Sequence, residues 1–170
     1  MGRDSQSPQS DPLDDRIAQA DVAATRVLVD VHRDRITLTR IGAALTTLDI
    51  GFLADGAGNL LAVWERHAML FTVEGPEDEI LVMRARPHAA VPADWAERAY
   101  RTVNEWNHTR RFSKAYVGDP AQGGQLPLYA ELQLPLAAGV HEALLVELLD
   151  CGAAVATSFV DWLHGDGGLL

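Results

Sequence analysis

The sequence predicts one α+β domain built on an antiparallel sheet, and three observations carry that expectation. Apolar residues recur at helical spacing before, within and after a series of short strand-like runs. Those runs are joined by connections too short for the crossovers that parallel neighbours need. From Thr37 onward no repeat and no Pro/Gly-rich linker divides the chain. At 170 residues and 48% hydrophobic composition, the chain has the size of a single domain with a core that needs no covalent staples.

Residues 1–12 are polar and predict a disordered tail. Asp11-Pro12 reads as an N-cap and a first-turn proline. Residues 13–36 are therefore an N-terminal extension expected to be helical, although Val27, Val29 and Val31 alternate as a short strand would. The domain proper is expected over 37–165, followed by a C-terminal tail over 166–170. Thr37 is placed to cap a helix running to Leu48, with Ile36 and Ile41 at the two staple positions. Strands follow at Asp49–Leu53, Leu60–Trp64, Met69–Val73 and Ile80–Arg86, separated by turn clusters. Pro92 opens a second helix whose stripe is Trp95, Ala99, Val103 and Trp106. Ala115–Val117 and Leu128–Leu134 make two further strands. Glu142–Leu163 is a long final helix with one apolar strip of Leu145, Leu149, Gly152, Ala156, Val160 and Leu163. A second strip of Leu144, Leu148, Val155, Phe159 and Trp162 widens that face beyond what one sheet contact needs. Another helix of the same chain covers it, or it closes a homodimer.

Charge and missing motifs exclude several classes. With 24 acidic against 14 basic residues and a net charge of −10, neither nucleic acid nor an anionic membrane is expected as a partner. The most apolar region, taken as Leu126–Leu149, is interrupted by Glu131, Gln133, His141, Glu142 and Glu147, so no membrane span is expected. The N-terminus has no secretory pattern, and the expected location is cytoplasmic. Cys151 is the one cysteine, which excludes an internal disulfide and the Cys-rich zinc patterns; its apolar neighbours suggest a packed core thiol. The six histidines include no pair at zinc-ligand spacing with an intervening glutamate. Asp55-Gly56-Ala57-Gly58-Asn59 completes neither a calcium loop nor a phosphate loop, and reads as a hairpin turn in which both glycines take positive φ. Ser113 and Ser158 sit in no nucleophile elbow. No catalytic residue, metal or cofactor is nominated.

The densest polar cluster runs from Asn104 to Arg111. Asn104, Trp106, Asn107, Arg110 and Arg111 are its candidate partner or ligand patch, since interleaved Trp and Arg mark hot spots and stacking sites. A helix C-terminus explains the same string, with Trp106 entering the core and the arginines answering the helix dipole.

Read as a whole, Asn104-Glu105-Trp106-Asn107 through Arg110-Arg111-Phe112-Ser113-Lys114-Ala115-Tyr116-Val117 resembles the corresponding segment of bacterial YbjN-domain proteins, particularly actinobacterial ones. The likeness extends through Leu60–Trp64, Glu79–Arg84, Tyr129–Leu132, Gly139-Val140, Leu148–Gly152 and Phe159–Leu163, so it covers about residues 37–165 in order. It implies a two-layer fold like that of type III secretion chaperones, an antiparallel sheet of about six strands with helices at its ends and on one face, often dimeric. It carries no catalytic residues. Two departures stand out: Ser113 replaces a usual proline, which implies a less rigid strand entry, and His141 stands where a Ser/Thr/Asp cap is frequent. The expected function is a non-enzymatic protein-interaction module, chaperone-like or regulatory, binding a peptide or protein on its sheet or helix groove. The alternative is a small-ligand-sensing domain with Trp106, Asn107 and Arg111 near a pocket.

Overall fold

Thr37 begins the first helix as its residue type implies, its Oγ1 accepting from the Arg40 amide at 3.2 Å in extended backbone geometry. The computed structural model describes residues 35–121 and 123–170. The expected tail and nearly all of the N-terminal extension lie outside these. Helix α1 spans Leu38–Thr47, and both staple residues, Ile36 and Ile41, are buried beside it. Strands β1 (Phe52–Ala54), β2 (Leu60–Val63), β3 (His67–Glu74) and β4 (Ile80–Pro87) follow as an antiparallel meander. A 3₁₀ turn at Ala93–Trp95 leads into α2 (Ala96–Thr109), then β5 (Lys114–Val117), β6 (Leu128–Pro135) and α3 (Glu142–His164). The sheet is six-stranded in the order β1-β2-β3-β4-β6-β5, so the last hairpin docks its second strand on β4 and leaves β5 at the edge.

Alternation gives the sheet two unlike faces. One carries Leu60, Ala62, Met69, Phe71, Leu81, Met83, Ala85, Leu128 and Ala130, all buried beneath the helices. Gly152 lets α3 approach this closely: a Cβ there would lie 2.6 Å from Met83 Sδ. The strip Leu145, Leu149, Gly152, Ala156, Val160 and Leu163 is buried throughout. Arg40 ties the starts of α1 and α3 together, donating to Glu142 Oε1 at 2.7 Å, to Arg35 O at 2.8 Å and to Val140 O at 2.5 Å.

Several expectations need correction. The first strand starts at Phe52 rather than Asp49, because Asp49 sits at φ 57° and the Ile50 amide still bonds back to Leu45 O at 2.9 Å. Trp95 leaves the buried stripe because the 3₁₀ turn shifts its phase; it is exposed, with the Arg98 guanidinium 4.8 Å from its ring centre. Cys151 is exposed, not packed, since it neighbours Gly152 on the side of α3 turned from the sheet. Of the hairpin glycines only Gly58 takes positive φ, at 88°. His141 is itself the cap of α3, its Nδ1 accepting from the Leu144 amide at 3.2 Å. Residues 166–170, set apart above as a tail, fold back: Leu169 is buried and its amide bonds Leu163 O at 2.9 Å. The most apolar long stretch begins later than Leu126–Leu149. Helix α3, 23 residues with a best-window mean hydropathy of 1.7, is by length and composition able to cross a bilayer, while its inner strip packs on the sheet.

Candidate functional site

The face opposite the helices is where polar and exposed apolar groups meet. One cross-strand row runs the full width of the sheet: Leu53 pairs with Leu61, Leu61 with Leu70, Leu70 with Arg84, Arg84 with Glu131 and Glu131 with Lys114. Direct partners project from the same face, so this row is three leucines followed by a cation, an anion and a cation. Leu53 is 70% exposed, and Val63 on the same face is 60% exposed. Leu61 and Leu70 are half-buried.

The charged half is tightly bonded. Glu131 Oε2 accepts from Arg84 Nε at 2.5 Å and from the Tyr116 hydroxyl at 3.0 Å, and Oε1 accepts from Gln133 Nε2 at 2.6 Å. Burial alone would raise the Glu131 carboxyl, but the hydrogen bonds from Arg84, Gln133 and Tyr116 outweigh it and hold the group below its ordinary value. Burial, then the bond to Glu131, pushes the Tyr116 phenol up to about 12. The Arg84 guanidinium is raised by its bond to Glu131. These groups satisfy one another and leave no poised acid or base.

At the β5 end the sheet meets the end of α2, where the sequence placed its candidate patch. Trp106 is buried against Phe159 and Trp162, ring centres 5.1 and 5.5 Å away, and its Nε1 donates to Ser113 Oγ at 3.2 Å. Ser113 thus anchors the strand entry that lacks a proline. Asn107 clamps the edge strand: its Oδ1 accepts from the Ala115 amide at 2.7 Å and its Nδ2 donates to Ala115 O at 2.9 Å. The carboxamide takes the place of a neighbouring strand, a device that blunts an edge. Asn104, Arg110 and Arg111 are exposed. Phe112, which the sequence reading did not single out as a site, is 73% exposed at φ 71°. The Ser113 amide bonds Arg111 O across it at 2.9 Å, which makes a γ-turn of the rare left-handed kind. Such a conformation in a bulky residue costs on the order of 1–3 kcal/mol. No periodicity signals such a turn.

Asn107, Arg110, Arg111, Phe112, Ser113, Lys114, Glu131 and Gln133 line an open cleft of about 560 Å³. Of the five patch residues, it gathers Asn107, Arg110 and Arg111, while Trp106 lies beneath in the core. The second candidate face divides along α3: Phe159 and Trp162 are buried, Leu148 and Val155 are half-buried, and Leu144 is 38% exposed. Among the described residues no cluster of three His, Cys, Asp or Glu side chains could hold a metal. Among the described residues the one buried side-chain polar atom without a partner is His67 Nε2, in a ring stacked 4.9 Å from that of Trp64 and away from the cleft. Burial, with the His88 charge second, lowers the His67 imidazole from its ordinary value.

Comparison with known proteins places this architecture. Residues 37–165 match the model of a family named YbjN and described as "Putative bacterial sensory transduction regulator". Among solved structures, the chain is similar to one titled "Crystal structure of YbjN, a putative transcription regulator from E. coli". The TM-score is 0.63 at 12% identity, covering 77% of this chain and 94% of that one. At that identity the likeness is one of fold. No curated protein matches the chain.

Proposed function

The chain belongs to the YbjN family, and we propose that it acts as a non-enzymatic regulatory module in the cytoplasm, receiving a protein segment on the open face of its sheet. The observation that carries this reading is the row Leu53–Leu61–Leu70, which leaves apolar side chains largely or partly in solvent beside a bonded polar network. Contiguous exposed apolar surface on a folded domain marks interaction sites. A regulatory role agrees with the family's description, and the polar groups of the network are engaged with one another rather than converging on a reacting atom.

The test is a photo-crosslinking side chain placed at Val63 and, as control, at Glu97 on the exposed side of α2. A recurrent adduct at Val63 that is absent at Glu97 and lost with Leu53→Asp supports the reading. Equal labelling at both positions, or none at either, overturns it. Homodimerisation through Leu144, Leu148 and Val155 is a separate part of the proposal. Light scattering that finds a monomer at micromolar concentration removes that part alone.

The small-ligand reading draws on the cleft beside Arg110 and Arg111. A metabolite raises the melting temperature by mass action if it binds there, so a thermal-shift screen with no hit removes it.

A further inference from the structure

We propose that the corner where α2 turns into β5 docks an acidic segment of a partner polypeptide, its carboxylates on Arg110, Arg111 and Lys114 and an apolar side chain on Phe112. This rests on the reading that the open face receives a protein, and it names the site's chemistry.

Charge is the first support. On a chain of net charge −10, three exposed cations fall within five residues at one cleft. Arg40, Arg66 and Arg84 are each ion-paired with a carboxylate; among the described residues Arg110, Arg111 and Lys114 form no ion pair, nor do Arg35, Arg86, Arg98 and Arg101, but the former three stand together at one cleft. Glu131 lies directly across from Lys114 in the sheet, yet both its oxygens are taken by Arg84, Tyr116 and Gln133. With three cations and one carboxylate, Glu131, in its lining, the cleft keeps a net positive charge. The Arg110 guanidinium lies 5.8 Å from the Trp106 ring centre, and guanidinium forks are suited to bidentate carboxylate recognition.

Phe112 is the second, independent support. A bulky residue held in a γ-turn and left 73% exposed is accounted for neither by backbone preference nor by burial. It supplies the apolar anchor that charged rims usually surround. The remaining polar groups narrow the partner's class. The Ser113 amide is held by Arg111 O and the Asn107 carboxamide by Ala115, so neither is offered to a ligand. What remains is charge at the ends of long side chains spread along an open groove, which fits carboxylates spaced along a peptide. Nucleic acid requires a broader basic footprint than three cations on an acidic chain.

The experiment uses the full chain and a fluorescein-labelled peptide of repeated Asp-Glu-Leu, read by anisotropy in low salt. Repeated Asn-Gln-Leu, inorganic phosphate and a single-stranded oligonucleotide serve as comparison ligands. The acidic peptide is expected to bind, and the neutral one not. Arg110→Glu with Arg111→Glu should weaken binding about tenfold or more, as should raising the salt to about 0.15 M. Phe112→Ala should weaken the leucine-containing peptide and leave an Asp-Glu-Gly peptide unchanged. Both variants change exposed side chains, and an unaltered melting temperature confirms that they fold. Absence of acidic-peptide binding, undiminished binding in the double variant, displacement by millimolar phosphate, or tighter binding of the oligonucleotide would each overturn the proposal. If the Val63 adduct persists in the Arg110→Glu/Arg111→Glu variant while peptide binding was never seen, this site fails and the open-face reading stands. If the chain with Arg110 and Arg111 intact gives no Val63 adduct either, both fail.

Discussion

On the covered face of the sheet Leu60, Phe71 and Met83 stand in one cross-strand row and are buried; in the row beside it, on the other face, Leu53, Leu61 and Leu70 are paired just as regularly and stay partly or largely in solvent. The strands and their alternation are shared, so propensity cannot explain the difference. What differs is coverage. Helices α1 and α3 remove the first row from water, each buried Leu or Phe contributing about 1.5–3 kcal/mol, and the second row gains little of this. Residues on the covered face are explained by folding. On the open face Val82 is buried too, but Leu53, Leu61 and Leu70 are not accounted for in this way.

Substitution should separate the two faces by an order of magnitude. The largest effect belongs to the covered side: Trp106→Ala empties the contact with Phe159 and Trp162 and should cost about 3–5 kcal/mol in urea denaturation. Next comes the α2–β5 junction. Asn107→Ala leaves the Ala115 amide and carbonyl without their partner, an expected loss of about 1–3 kcal/mol. It should also expose the β5 edge to concentration-dependent association visible in light scattering. A smaller gain is expected from His141→Asp, about 0.5–1 kcal/mol in melting experiments, because an anionic cap also suits the positive end of α3. The smallest belongs to the open face, where Leu53→Asp should change stability by less than about 0.5 kcal/mol. A large loss there would mean the row is structural after all.

Acid probes the same contrast. His67 is buried and its pKa is lowered, so the folded state binds fewer protons than the unfolded one. Its contribution is fully present above the ordinary histidine value of about 6.5 and is lost as pH falls through the lowered folded value. Thermal melts from pH 8 downward should show this decline, and His67→Gln should flatten it. Glu131 is also lowered, so its contribution is present above the ordinary carboxylate range and is lost only in more strongly acid solution.

Much of the covered side was legible in the sequence, because it is written in spacing. The Thr37 cap, the Ile36/Ile41 staple and the inner strip of α3 all follow from local chemistry and a helical period. The misplaced residues were those whose fate depends on phase or on distant backbone. A 3₁₀ turn rotates Trp95 into solvent, and Cys151 sits one position off the strip that ends in the core. At the candidate site the sequence marked Asn107, Arg110 and Arg111 through the density of the motif, but it did not say that Asn107 serves Ala115 rather than a partner. Phe112 carries no such mark, because a γ-turn leaves no trace in hydrophobic periodicity.

The most direct test of the claim that the open face serves docking rather than folding is a paired measurement on Leu53→Asp: its melting temperature and its crosslink yield from Val63. The account predicts an unchanged melting temperature and loss of the adduct. An undiminished adduct, or a fall in stability as large as that of a core substitution, would contradict it.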